Sequence, residues 1–279
     1  MNFTPLLPIT FFTNRLLIIH GLIVLTLFSF ASNPVFANTT QHHMNLVLSG
    51  SYFDYREYSS TQRELNRESG FIPGLGLEWQ NNNRFLTIKA SGLFQENQVK
   101  YDGAIQSGQS YQTNTDETLR HFSFSISPAV IAPVVPRAGF GHWYWERHIL
   151  PGSIIATNGT QPVIGLLEEY QWPYFEVGVD LFLDKIFTSS HFHYKQLLTL
   201  SWTKPLNAKM EVFLPNHQIT VEPTSKTGYY LSYGIQKGAL AFSLYHRRWN
   251  LGQSPIVSNI FEPASETKIT GLNLKLQLF

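Results

Sequence analysis

Apolar and polar positions alternate without a break over the last residues of the chain. Leu272, Leu274, Leu276 and Leu278 take one parity, and Gly271, Asn273, Lys275 and Gln277 take the other. Successive side chains of a strand point to opposite faces, so residues 270–278 predict a strand with one apolar and one polar face. The same period recurs upstream. Phe71, Leu75, Leu77 and Trp79 oppose Ile72, Gly74, Gly76 and Glu78; Leu86, Ile88, Ala90 and Phe94 oppose Thr87, Lys89 and Ser91. Phe122, Phe124 and Ile126 oppose His121, Ser123 and Ser125; Phe175, Val177, Val179 and Leu181 oppose Tyr174, Glu176, Gly178 and Asp180. The pattern predicts ten strands, at residues 44–58, 71–79, 85–94, 119–127, 137–148, 168–183, 194–202, 228–236, 240–249 and 267–279. An extra hairpin within residues 210–221 would raise the number to twelve. The faces of residues 137–148 stay unassigned, because Trp143 and Trp145 share parity with Arg137 and Arg147.

The connections alternate in length. Residues 59–69, 97–117, 150–162, 204–226 and 251–266 are long and polar, whereas Asn81-Asn82-Asn83, a proline-rich turn after residue 127, residues 183–193 and Gln236-Lys237-Gly238 are short. Long loops at one end and short turns at the other characterise transmembrane barrels, whose apolar face meets lipid and whose polar face meets the lumen. The expected fold is therefore all-β: an antiparallel up-and-down transmembrane β-barrel of ten strands, with twelve as the alternative. The chain closes on an aromatic residue directly after an alternating strand, as the terminal strands of Gram-negative outer-membrane barrels do. Phe279 falls on the polar parity, so it must twist out or sit at the rim. Gly74 and Gly76 fit a closely approached inner wall, and Pro73 is expected near a strand start or a bulge, since proline gives the ladder no donor.

Residues 1–37 read as a cleaved secretory signal. Arg15 is followed by an apolar run over residues 16–30, broken only by His20, and then by Pro34 and the small residues Val35 and Ala37. Residues 38–279 would form a single barrel domain in the outer membrane of a Gram-negative bacterium. The absence of cysteine excludes lipoprotein attachment, disulfides and cysteine-metal chemistry. Charged residues make up 14%, the formal charge is +1, and no basic stripe occurs, which argues against nucleic acid as a partner. The partners this location implies are outer-membrane lipids, lipopolysaccharide and, through the C-terminal strand, the barrel assembly machinery. A monomer is expected, with no cofactor and no metal.

The polar parity places Glu78, Lys89, His121, Glu176, Asp180 and Lys275 in the lumen. Buried charges need partners, and Lys89, Lys275, Arg247 and His121 are the cations at hand for Glu176 and Asp180. A salt-bridge network plugging the barrel is the plain expectation; a narrow ion path is the alternative. His191 and His193 read as solvated turn histidines, and the six tryptophans as girdle or rim residues.

The run Glu169-Tyr170-Gln171-Trp172-Pro173-Tyr174-Phe175-Glu176-Val177-Gly178 is similar to the sixth strand of omptins. So is the first long loop followed by Gly70 and an alternating strand. The resemblance implies a ten-stranded barrel that extends beyond the membrane. In that family, a pair of Asp residues at the outer rim faces an Asp-His pair across an attacking water. The positions open to those roles here are Asp102 and Asp116, which are not adjacent, and His217, which follows Asn216 rather than an Asp. Asn carries no charge to stabilise an imidazolium. The expectation is a non-enzymatic structural or surface-binding barrel, the alternatives being a diverged omptin-like protease, a lipid-modifying hydrolase, or a narrow channel.

Overall fold

A computed structural model describes residues 41–104, 109–129, 132–156, 159–186 and 194–279. The signal segment, His191 and His193 lie outside these residues. Fifteen strands follow in order: β1 (Gln41–Tyr58), β2 (Glu64–Asn82), β3 (Leu86–Ala104), β4 (Ser110–Pro128), β5 (Val134–Ile149), β6 (Gly152–Ala156), β7 (Gly159–Val163), β8 (Leu166–Phe182), β9 (Lys195–Pro205), β10 (Lys209–Leu214), β11 (His217–Val221), β12 (Thr224–Ser225), β13 (Gly228–Lys237), β14 (Leu240–Gly252) and β15 (Ala264–Gln277). One helical turn, α1 (Leu183–Ile186), sits between β8 and β9.

Ten of these strands close a ring. The antiparallel neighbours run β8-β5-β4-β3-β2-β1-β15-β14-β13-β9, and β9 returns to β8. The shorter strands prolong the wall. β10 takes over from β9 along β8, with Lys209 opposite Gln171 and Phe213 opposite Leu167. β11 pairs with β10, and β12 pairs with β14 above β13. Residues 210–221 are thus the upper ends of two wall strands joined by a tight turn, and the barrel has ten strands, not twelve. β6 and β7 pair only with each other and stand above the wall as an arm.

The strands are longer than the sequence pattern predicts. Residues 59–69 and 97–117 belong mostly to β2, β3 and β4. The apolar alternation stops where lipid stops, but the ladder continues with polar residues on both faces. A strand of 18 residues such as β1 spans about 60 Å at ~3.3 Å per residue. Tilted by about 45°, it rises roughly 40 Å, well beyond the ~25 Å apolar band of an outer-membrane barrel. That band is plain on the outer surface, where Leu48, Phe71, Leu75, Phe140, Phe175, Trp202, Leu244, Leu272, Leu274 and Leu276 are all exposed. Above it the outward residues turn polar: Asp54 and Arg56 on β1, Arg67 on β2, Arg248 on β14, Lys268 on β15. The start of β1, the end of β15 and the β2–β3 and β13–β14 turns share the opposite, periplasmic rim, where Phe279 lies exposed beyond the end of β15.

Pro73 lies in mid-strand, not at a start or a bulge. β2 and β3 keep one register on either side of it, from Ser69 opposite Lys100 to Gly74 opposite Gln95, with the ladder open between. Asn97 Nδ2 reaches into that gap and donates to the Phe71 carbonyl at 2.7 Å. A side chain thereby satisfies a carbonyl that the interrupted ladder would leave free.

Candidate functional site

The inward parity fills the lumen in three tiers. The lowest is a polar cavity of about 140 Å³ lined by, among others, Glu78, Lys89, His121, Arg137, Glu176, Arg247 and Lys275. Lys275 Nζ donates to Glu78 Oε2 at 2.6 Å, and Asn45 Nδ2 donates to Glu78 Oε1 at 3.2 Å. Arg137 Nη2 donates to Glu176 Oε1 at 2.6 Å, with Asp180 3.8 Å from Nη1. Asp180 also accepts from the Thr199 hydroxyl at 2.7 Å. The cation for both acids is therefore Arg137 of β5, from the strand whose faces the alternation left open; neither Lys89, Lys275, Arg247 nor His121 takes that place.

The middle tier is aromatic. Trp143 lies 4.8 Å from Trp249 and 6.3 Å from Trp172, ring centre to ring centre, and His121 stacks on Trp143 at 4.3 Å. Arg247 is held between the Trp143 and Tyr230 rings, at 5.0 and 4.8 Å. His121 Nε2 lies 2.7 Å from the Tyr174 hydroxyl and 3.4 Å from Arg247 Nη1. An arginine can only donate, so the nitrogen facing it acts as acceptor and His121 carries its proton on Nδ1. Four of the six tryptophans, Trp143, Trp145, Trp172 and Trp249, are buried inside the barrel and do not form a girdle. Their strands place them on the lumen parity, whereas Trp202 faces outward in the lipid band.

The upper tier stands above the apolar band and is ionic. Arg147, 1% exposed, is its centre. Its Nη1 lies 3.1 Å from Glu57 and 2.5 Å from Glu168, and its Nη2 2.5 Å from Glu68. The Tyr55 ring lies beneath the guanidinium at 4.8 Å. Two further buried acids complete the group: Glu117, which accepts from Trp145 Nε1, and Glu262 from the β14–β15 loop. Among the described residues, five glutamates thus face one arginine. Burial and the neighbouring Glu68 push Glu117 well above the usual carboxylate range; burial and the charges of Glu57 and Glu168 do the same for Glu262. Burial also raises Glu168, against the pull of Arg147. Tyr55 Oη lies 2.8 Å from Glu57 and 3.0 Å from Glu262. The Tyr55 hydroxyl is the donor in both contacts and shares its one proton between the two carboxyl groups.

This tier was hidden because residues 59–69 read as an exposed loop. Glu68 is in fact fully buried. The signal was parity: Asn66, Glu68, Gly70 and Ile72 continue the inward face of β2.

The positions open to omptin-like roles lie elsewhere. Asp102 and Asp116 are exposed on the outer face of β3 and β4, hydrogen-bonded to Gln112 and Gln98 respectively. His217 is exposed at the β10–β11 turn. β4 and β11 are separated by β5, β8 and β10, roughly 19 Å of wall at ~4.8 Å per strand. The three side chains do not meet around one water. Among the described residues no group of three His, Asp or Glu side chains is arranged to hold a metal ion.

Comparison with solved structures identifies the fold. The chain is similar to the outer-membrane protease OmpT from Escherichia coli, with a TM-score of 0.52 at 12% identity over 88% of this chain and 99% of that one. An outer-membrane channel from Pseudomonas putida F1 gives a TM-score of 0.40 at 7% identity over 88% and 99% of the two chains. Neisserial surface protein A gives 0.30 at 9% identity over 84% and 96%. No family model matches the chain, and no curated protein matches it. The closed ten-stranded ring and its outward apolar band define a Gram-negative outer-membrane β-barrel in contact with membrane lipid.

Proposed function

We propose that this protein is a sealed, non-enzymatic outer-membrane barrel that acts at the cell surface through its polar upper collar. The observation that carries this reading is the stacked closure of the lumen, with the tryptophan tier lying beneath the Arg147–glutamate tier. A conducting path would need a continuous file of water, and the side chains that would line it are here spent on one another. A protease reading would need Asp102, Asp116 and His217 to converge, whereas the two Asp residues face outward on β3 and β4 and His217 sits at the β10–β11 turn. Above the lipid band, Arg56, Arg67, Arg248 and Lys268 face the region of lipopolysaccharide phosphates, the partner expected at that depth. The C-terminal strand serves recognition by the barrel assembly machinery, and the barrel works as a monomer. Planar-bilayer recording tests the reading. The purified barrel should insert without steady conductance and leave peptide and lipid substrates intact. A stable, ion-selective current altered by Glu176→Gln would replace it with the channel reading, and turnover of a peptide or lipid with the enzyme reading.

A further inference from the structure

The lowest tier holds more positive charge than it neutralises. Lys89, Arg137, Arg247 and Lys275 line the cavity against Glu78 and Glu176. Lys275 is paired with Glu78, and Arg137 with Glu176 and Asp180. Lys89 and Arg247 have no acid within ion-pair distance among the described residues. Arg247 Nε is buried without a hydrogen-bond partner, while the aromatic rings on either side fix the plane of the guanidinium. Arg247 Nη1 faces His121 Nε2 at 3.4 Å; a flat, immobilised guanidinium whose charge has no acid partner and whose remaining donors are not spent on a carboxylate is suited to an oxyanion. The Ser91 and Ser123 hydroxyls, 2.7 Å apart, line the same space. A volume of about 140 Å³ admits one tetrahedral oxyanion together with some of its water. Access is from below. The tryptophan tier closes the top, while Glu78 and Lys275, towards the periplasmic end of β2 and β15, retain 20% and 27% side-chain exposure.

We propose that the lower lumen is a binding site for one small inorganic oxyanion of phosphate or sulfate size, entering from the periplasmic side and held by Arg247 and Lys89. Titration calorimetry on the refolded barrel in zwitterionic detergent tests this, using sodium phosphate and sodium sulfate against sodium chloride at matched ionic strength. One saturable site is expected for the oxyanions and none for chloride. Arg247→Gln and Lys89→Gln should each weaken binding at least tenfold, and Lys100→Gln on the outer face should leave it unchanged. Heat-modifiable migration confirms that each variant is folded. If Arg247→Gln does not fold, Lys89→Gln decides alone, since among the described residues Lys89 makes no ion pair or hydrogen bond and acts on Glu78 only at longer range. Oxyanion binding no tighter than chloride, wild-type affinity in Lys89→Gln, or an equal loss in Lys100→Gln would each overturn the proposal.

Discussion

Replacing Arg147 with methionine removes the one cation that, among the described residues, pairs with the group of five buried glutamates. Glu57, Glu68 and Glu168 all lose a contact of 3.1 Å or less. Breaking a buried ion pair by deleting one partner costs about 3–5 kcal/mol, most of it the desolvation of the charge left behind. The acids have one escape, which is to take up protons, so the cost should shrink as pH falls. With an m-value of about 3 kcal/mol/M in urea, the unfolding midpoint at pH 7 should drop by roughly 1–1.7 M. The drop should be smaller at pH 5. Unfolding of the refolded barrel can be followed by tryptophan emission and by heat-modifiable migration. Arg56→Met is the control: its pairs with Asp54 and Glu64 lie on the outer surface, where such pairs contribute less than about 1 kcal/mol. Equal midpoint shifts for Arg147→Met and Arg56→Met, or an Arg147→Met cost that grows on acidification, would refute the reasoning.

The native barrel itself should respond to pH with a definite sign. Glu117, Glu168 and Glu262 hold their protons above the usual carboxylate range, so their stabilisation is complete below that range and is lost as pH rises through the raised values. The slope is up to about 1.4 kcal/mol per pH unit for each group; Glu117→Gln should flatten it, and a midpoint that climbs with pH would contradict the assignment. Asp54 has the opposite sign. Burial raises it, but hydrogen bonds from Arg56 and Arg67 bring it below the usual value, so Asp54→Asn should remove stability above the ordinary carboxylate range and matter least in acid. On the closing strand, Leu274→Arg should cost roughly 2–4 kcal/mol near the midplane and Asn273→Arg less; equal costs in urea titration would reverse the faces. Gly141→Ala should destabilise by about 1–3 kcal/mol, because the added methyl would collide with the Phe122 carbonyl and the Tyr174 ring, whereas Gly234→Ala, with nothing nearer than 3.5 Å, should be silent in the same titration.

The lipid-facing half of the barrel was legible because a bilayer enforces a strict period of two. Leu272 to Leu278, or Phe175 to Leu181, leave no other arrangement of faces. Above the membrane that constraint lapses. The outward side of β2 carries Arg67 and its inward side Glu68, so both look polar and the strand reads as a loop. The bulky residues of β5 hid its faces for a related reason: Trp143 and Trp145 are apolar yet point inward, where Trp143 packs on Trp172 and Trp249 and Trp145 on Tyr55 and Tyr170 rather than on lipid. Arg137 and Arg147, the two cations that organise the lumen acids, both lie on that strand. The inward positions of Glu78, Lys89, His121, Glu176 and Lys275 could be read from parity alone, but which cation meets which acid depends on strand order and stagger around the ring.

The tryptophan tier has a consequence for following assembly by light. Trp143, Trp172 and Trp249 come from β5, β8 and β14, and β14 reaches the other two only across the closed lumen. Indoles 4.8 and 5.7 Å apart couple their electronic transitions, giving paired bands of opposite sign in circular dichroism; the β5–β8 pair alone joins only Trp143 and Trp172, at 6.3 Å, so the part of the signal owed to Trp249 requires the closed ring. The native sequence therefore carries its own optical mark of ring closure, distinct from the signal of strand formation.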